Sequence, residues 1–167
     1  MLQGIILAAG RGSRLGYLTE KKPKSFNKSG NRRYIDIIIN NFIKNNISKI
    51  NIVVGYKKNL FKNFSFKKII NKEWRSSNIF FSLNKASKVL QSNTCIISYA
   101  DIIYDQEAIS LLAKAKGDIV ILNNVNWKKI WKLRFKNPLD DLENFDYFKS
   151  SNTRYLKKIG GKPQSMS

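Results

Sequence analysis

The stretch Leu7-Ala8-Ala9-Gly10-Arg11-Gly12-Ser13-Arg14-Leu15, continued by Leu18-Thr19 and Pro23-Lys24, sets two glycines among cations directly after a short apolar run. Glycines at such a place let the backbone approach a ligand closely and turn its amides toward phosphate oxygens. Small Ala8 and Ala9 leave room for a flat base against the end of the run. Arg11, Arg14 and Lys24 supply mobile positive charge for a polyphosphate tail. The loop is not a Walker loop, because the Gly-Lys-Ser/Thr ending is missing. Nor is it the dinucleotide fingerprint, which needs a third glycine opening a helix. A second candidate lies at Ile96-Ile97-Ser98-Tyr99-Ala100-Asp101, an apolar run that ends in a carboxylate. Phosphoryl chemistry needs a hard cation, and Mg²⁺ takes one or two protein carboxylates together with phosphate oxygens and water. Asp101 could instead cap a helix, but Asp105, just before Gln106-Glu107, is better placed for that.

The elements that must position these groups alternate between strand and helix. Leu2 to Ala8 reads as a buried strand, followed by a glycine- and cation-rich loop to Lys24. Ile35, Ile38, Ile39, Phe42 and Ile43 recur at helical spacing, which predicts a helix over 34–46. Strands are expected at Ile47 to Val54, at Lys67 to Ile70, at Thr94 to Ala100 and at Asp118 to Leu122. Helices are expected at Ile79 to Leu90, with Ser77 or Asn78 as N-cap, and at Gln106 to Lys116. The region 137–151 is acidic and irregular, with Asp140, Asp141, Glu143 and Asp146, and reads as an excursion over the surface. Tyr155 to Ile159 reads as a strand running into a glycine turn, after which the chain stops as if cut short. This pattern predicts an α/β domain on a mostly parallel sheet, with ligands at the carboxyl ends of strands. Both candidate places fall at such ends.

The formal net charge of +20 attracts polyanions, whether nucleic acid, anionic membrane or nucleoside triphosphate. The lysines are scattered as doublets in a chain also heavy in Asn and Ile, which is a composition bias and not one groove-shaped patch. Nucleic acid is therefore not expected as the main partner. An apolar fraction of 43% is ordinary for a globular protein and argues against disorder. The lone Cys95 cannot form an internal disulfide and reads as a small packed thiol in a reducing cytoplasm. No apolar run approaches the roughly 18 residues that span a bilayer. The amino terminus does not resemble a signal peptide, so a cytoplasmic protein without a membrane partner is expected.

At the loop residues the sequence resembles the nucleotidyltransferase superfamily, whose members carry Leu-Ala-Ala-Gly-x-Gly-x-Arg-Leu, then Leu-Thr, then Pro-Lys. The resemblance implies a Rossmann-like three-layer α/β/α sandwich of the nucleotide-diphospho-sugar transferase type, performing metal-dependent nucleotidyl transfer. It places Leu7, Ala8, Ala9, Gly10, Arg11 and Gly12 around the nucleotide, and Arg14 and Lys24 on the triphosphate as the catalytic charges. Asp101 falls on the family's metal-binding Asp, with Mg²⁺ as the cofactor. Later residues are similar to the phosphocholine and phosphonate cytidylyltransferase branch. Asn71 with Ser77-Asn78-Ile79 matches a segment that would put Asn78 near the nucleotide. Trp127, Trp131, Arg134, Pro138 and Glu143 resemble that branch's aromatic, Arg, Pro and acidic stretch. Trp127, Trp131 and Arg134 are thus candidates for holding the acceptor. Trp127 and Trp131 would share a face on a helix or on a strand, and either could stack on a trimethylammonium group or pack in a core.

The resemblance covers the whole chain but only the front part of a family domain, so 1–167 is expected to be one domain, incomplete at its carboxyl end. The implied reaction passes a nucleotidyl group, CMP from CTP foremost, to a small phosphate or phosphonate such as phosphocholine, releasing pyrophosphate. Two alternatives stay open: a sugar-1-phosphate nucleotidyltransferase, and a non-catalytic fragment or basic nucleic-acid binder. The base, the acceptor and the oligomeric state are not set by these residues.

Overall fold

A computed structural model of the chain describes residues 1–137, 139, 142–151 and 153–162. Pro138, Asp140 and Asp141, named above, lie outside the described residues. The chain divides into two compact units, Met1–Ile121 and Leu122–Ser167.

The first unit is built on four parallel strands in the order β5-β4-β1-β6: β1 (Leu2–Ala8), β4 (Ile50–Val54), β5 (Lys67–Ile70) and β6 (Thr94–Tyr99). A two-stranded ribbon, β2 (Lys28–Ser29) and β3 (Arg32–Arg33), leads into helix α1 (Tyr34–Lys44). Two short helices, α2 (Ile79–Asn84) and α3 (Ser87–Ser92), precede β6, and α4 (Gln106–Lys114) follows it.

Side chains alternate across a strand, so β1 feeds two cores at once. Ile6 and Ala8 join Ile35, Ile38 and Phe42 of α1 and Ile109 of α4 on one face. Ile5, Leu7 and Ala9 join Val53, Ala86 and Val89 on the other, beneath α2 and α3. Helices therefore cover both faces, which makes this an α/β/α sandwich of Rossmann-like type. Ile5, Ile6, Ile35, Ile38 and Ile52 are each 0% exposed, and complete burial of such a side chain contributes about 1.5–3 kcal/mol. A strand buried on both faces must be a continuous apolar run, and the sequences of β1 and β4 are such runs.

The strand order fixes where a ligand belongs. From β1 the chain steps to β4 and β5 on one side, then returns to place β6 on the other. The helices after β1 and after β5 lie on opposite faces, so their connections diverge and leave a crevice above the carboxyl ends of β1 and β6. Ligands of open α/β sheets settle at such reversals.

Three expectations are corrected. Asp118 to Leu122 is not a strand: Ile119 is 87% exposed and the run lies past the last strand of this sheet. A short apolar run becomes a strand only where a neighbour offers a ladder, and strand preference is mostly context. The single helix expected over 79–90 is two, broken at Lys85-Ala86, although Leu83, Ala86 and Leu90 still face the sheet. Residues 145–150, expected to be irregular, form β7 (Phe145–Ser150), which pairs antiparallel with β8 (Thr153–Ile159) in the second unit. Aromatic residues at Phe145, Tyr147, Phe148 and Tyr155 drive that hairpin, with Phe148 stacked on Tyr155 at 5.4 Å. The second unit also holds α5 (Trp127–Arg134), which settles Trp127 and Trp131 on one helical face. No helix among the described residues is long and apolar enough to cross a membrane.

Candidate active site

The loop that leaves β1 is held by its own backbone. Gly12 adopts φ 76°, in the left-handed region that glycine alone enters freely. A Cβ at Gly12 would also stand 2.8 Å from Cβ of Lys24, so the lysine stem occupies the space a side chain would need. Two helical turns follow, Ser13–Thr19 and Lys24–Phe26, and Leu15 N–H donates to the Gly12 carbonyl at 3.0 Å. Thr19 is fully buried, and its hydroxyl lies 3.2 Å from each of the Gly12 and Gly16 carbonyls. That one side chain closes the loop on itself.

The loop is fastened to the end of β4 as well. Gly55 follows that strand, and Tyr56 N–H donates to the Ala9 carbonyl at 2.8 Å while the Tyr56 hydroxyl donates to the Glu20 carbonyl. A Cβ on Gly55 would meet Trp74 Cβ at 2.5 Å and the Ala9 carbonyl at 2.8 Å. Tyr56 and Trp74 then pack ring to ring at 5.0 Å. With Arg11, Gly12, Ser13 and Arg75 they line a cavity of about 260 Å³ beside the loop. Arg11 sets its guanidinium 5.9 Å from the Tyr56 ring, and its Nε is buried without a hydrogen-bond partner. A buried donor left unpaired is costly, and a ligand acceptor is one way to satisfy it. Sequence reasoning missed Tyr56 and Trp74. The available signal was their position after the ends of β4 and β5, where a parallel sheet gathers its site.

Lys24 reaches across the crevice. Its Nζ lies 2.7 Å from Oδ2 of Asp101, just past the end of β6, with both side chains about one-third exposed. An ion pair this exposed is worth roughly 0–1 kcal/mol, so it is no staple for the fold. What it does is hold one cation and one anion facing each other over the crevice between β1 and β6. Arg14 is exposed and, among the described residues, has neither a hydrogen bond nor an ion pair. It is free to meet an incoming charge. Asp105 sits at the N-cap of α4 without a side-chain capping bond, so the cap is a backbone one. Among the described residues no three His, Cys, Asp or Glu side chains cluster to hold a metal. In the crevice, Asp101 offers a carboxylate facing Lys24. One carboxylate suits Mg²⁺ when phosphate oxygens and water complete its shell.

The other expected residues fall as follows. Leu7, Ala8 and Ala9 bury their side chains in the two cores, so only backbone is available there to a nucleotide. Gly10 is exposed, with open space where a Cβ would stand. Asn78 caps α2, its Oδ1 accepting from Phe81 N–H at 2.9 Å. Its neighbour Asn71 is fully buried and donates to both Ser77 and Ser82 hydroxyls at 2.9 Å, which fixes the segment carrying Trp74. Cys95 is half-buried, and burial pushes its thiol upward, away from a nucleophilic thiolate. Trp127, Trp131 and Arg134 lie on α5 in the second unit, with the Arg134 guanidinium 5.0 Å from the Trp131 ring.

Comparison with known proteins bears on the family and the fold. The chain is 34% identical over 171 residues to a CTP:phosphoglutamine cytidylyltransferase of Campylobacter jejuni, covering 96% of this chain and 66% of that protein. It is 32% identical over 110 residues to a glucose-1-phosphate adenylyltransferase of Histophilus somni, covering 63% of this chain and 24% of that one. Among solved structures, the CTP:phosphocholine cytidylyltransferase from Streptococcus pneumoniae matches with a TM-score of 0.56 and 31% identity, covering 60% of this chain and 45% of that one. The chain thus spans less than two thirds of the length of these relatives. Residues 4–143 match the family described as the MobA-like NTP transferase domain, and the chain belongs to that family.

Proposed function

We propose that this domain binds a nucleoside triphosphate, CTP by preference, and passes its nucleotidyl group to a small phosphate or phosphonate. The observation that carries the reading is the Lys24–Asp101 pair, 2.7 Å across the crevice where the sheet reverses, beside a loop built around Gly12. An acceptor oxygen attacks the α-phosphorus in line, the bond to the bridging oxygen breaks, and pyrophosphate leaves. Negative charge grows on the departing pyrophosphate, and Lys24 and Arg14 are the cations placed to meet it. Mg²⁺ on Asp101 would neutralise phosphate charge in the same crevice. The Gly10–Gly12 backbone lets the phosphates come close, and the cavity walled by Tyr56 and Trp74 offers flat apolar faces to the nucleoside. Among the described residues there is no histidine and no ionised thiol at the site, so direct transfer without a covalent intermediate fits this constellation.

The choice of CTP and of a phosphate or phosphonate acceptor rests on the cytidylyltransferases among the relatives. The test has two arms. CTP, ATP, GTP and UTP are titrated against the fluorescence of the chain, and pyrophosphate release is followed with phosphocholine, 2-aminoethylphosphonate, phosphoglutamine and glucose 1-phosphate. Tightest saturable binding of CTP, with release driven by a phosphate or phosphonate, is the expected result. Release driven by glucose 1-phosphate alone would transfer the assignment to the sugar-phosphate branch. No saturable binding of any triphosphate would overturn it.

A further inference from the structure

At the opposite end of the same sheet lies a larger cavity, of about 410 Å³, that the reaction does not use. It opens at the amino ends of β1, β4 and β5, beneath α3. Lys49, Lys67 and Lys88 stand around it, and no carboxylate lines it. Among the described residues none of the three lysines has an ion-pair partner. The cavity is therefore strongly positive and not neutralised from within.

Its floor is a chain of amides, with Asn51 buried and Gln3 and Asn93 half-buried. Asn51 is 4% exposed on the strand face that continues into Val53 of the second core. Its amide donates to Gln3 Oε1 at 3.0 Å, Gln3 Nε2 donates to Asn93 Oδ1 at 2.8 Å, and Asn93 Nδ2 donates to the Val89 carbonyl at 3.0 Å. This relay joins two strands and α3 and spans the cavity. A buried amide stabilises a fold no better than a well-packed apolar side chain, so Asn51 on a core-facing side of β4 needs another reason. Cations above and fixed amides below match a phosphate monoester on a hydroxylated body: the charge goes to the lysines, the hydroxyls to the relay.

We propose that this cavity binds a small phosphorylated polyol, such as a sugar phosphate, at a site separate from the nucleotide loop. Carboxyl-end chemistry and amino-end binding would then share β1 and β4, whose opposite ends line the two places.

The experiment follows amide resonances of the full 167-residue chain during titration with ribose 5-phosphate and, separately, with inorganic phosphate. Saturable shifts at Lys49, Asn51, Lys67 and Asn93 are expected with ribose 5-phosphate, about tenfold tighter than with inorganic phosphate, the gain of one or two added hydrogen bonds. The Lys24→Ala chain should keep these shifts unchanged. A Lys49→Gln/Lys88→Gln chain should weaken them about tenfold or more while leaving CTP-induced shifts at Gly10 and Gly12 intact. Shifts confined to Gly10 and Gly12, non-saturating shifts, equal affinity for the two probes, or no effect of the double substitution would each overturn the proposal.

Discussion

The two ends of the central sheet carry positive charge in different ways. At the carboxyl end, Lys24 is set by a glycine that leaves room for its stem, by a loop closed on Thr19, and by Asp101 facing it. At the amino end, Lys49, Lys67 and Lys88 are exposed stems around a cavity, with order confined to the amide relay beneath them. Charge counts alone do not separate these ends. What separates them is how much backbone is committed to aiming the charge, since preorganised dipoles and cations stabilise a developing charge far better than mobile ones.

If that distinction is real, the carboxyl end should be far more sensitive to substitution. Lys24→Ala is expected to lower nucleotidyl transfer by about 10²-fold or more, the usual loss of one preorganised charge partner, and Arg14→Ala by less, because no hydrogen bond or ion pair aims Arg14. Lys49→Ala, removing the same charge at the other end, should change it less than about twofold, as a screened surface charge does. Steady-state pyrophosphate release reads all three, and equal losses would erase the difference between the ends. Asp101→Asn is expected next: it keeps shape and fold but weakens Mg²⁺ dependence, because an amide cannot supply the charge a hard cation requires. The check is the apparent Mg²⁺ affinity beside a thermal melt. An unchanged affinity moves the ligand away from Asp101.

Gly12→Ala sharpens the point, since it touches no charge. A left-handed φ costs a non-glycine residue of order 1–3 kcal/mol, and the new Cβ would push Lys24 from its place. The expected outcome is a lower melting temperature together with weaker CTP binding. A melt that falls while CTP affinity holds would separate loop stability from lysine placement. Tyr56→Phe should have the smallest effect. It removes the hydroxyl bond to the Glu20 carbonyl, worth about 0.5–1.5 kcal/mol, and leaves the ring against Trp74. Faster amide exchange over 16–20 with little change in the global melt is the signature to look for.

Much of this was legible in the sequence because its signals were local. A continuous apolar run, a glycine-cation loop and a carboxylate at a strand end need no knowledge of neighbours, and β1, the loop and Asp101 fell where such signals put them. The misses were of another kind. Asp118 to Leu122 has the composition of a strand, but a strand exists only with a partner, and among the described residues none is paired to it. A strand at Tyr155 to Ile159 was legible and is β8, but its partner β7 was hidden by the charges around it, although the pairing depends on the aromatic residues between them. Tyr56 and Trp74 stand where the ends of β4 and β5 pointed, but which residues there matter is decided by their meeting across Gly55. Asn78, by contrast, caps α2, as its place just before the helical run suggested.

The two outer strands of the sheet differ in a way that bears on how the protein behaves in concentrated solution. On β5 the border reads Lys67-Lys68-Ile69-Ile70, and paired lysines on an outer strand discourage another chain from adding to its free amides. On β6 the border reads Thr94-Cys95-Ile96-Ile97-Ser98-Tyr99, without a charge, and Ile97 and Tyr99 are 42% and 51% exposed. Strand addition is therefore favoured at one border of the described sheet and discouraged at the other. An added strand, whether from elsewhere in this protein or from a second molecule, is expected beside β6 and not beside β5. A single lysine at Ile97 should suppress it more than any change in overall charge.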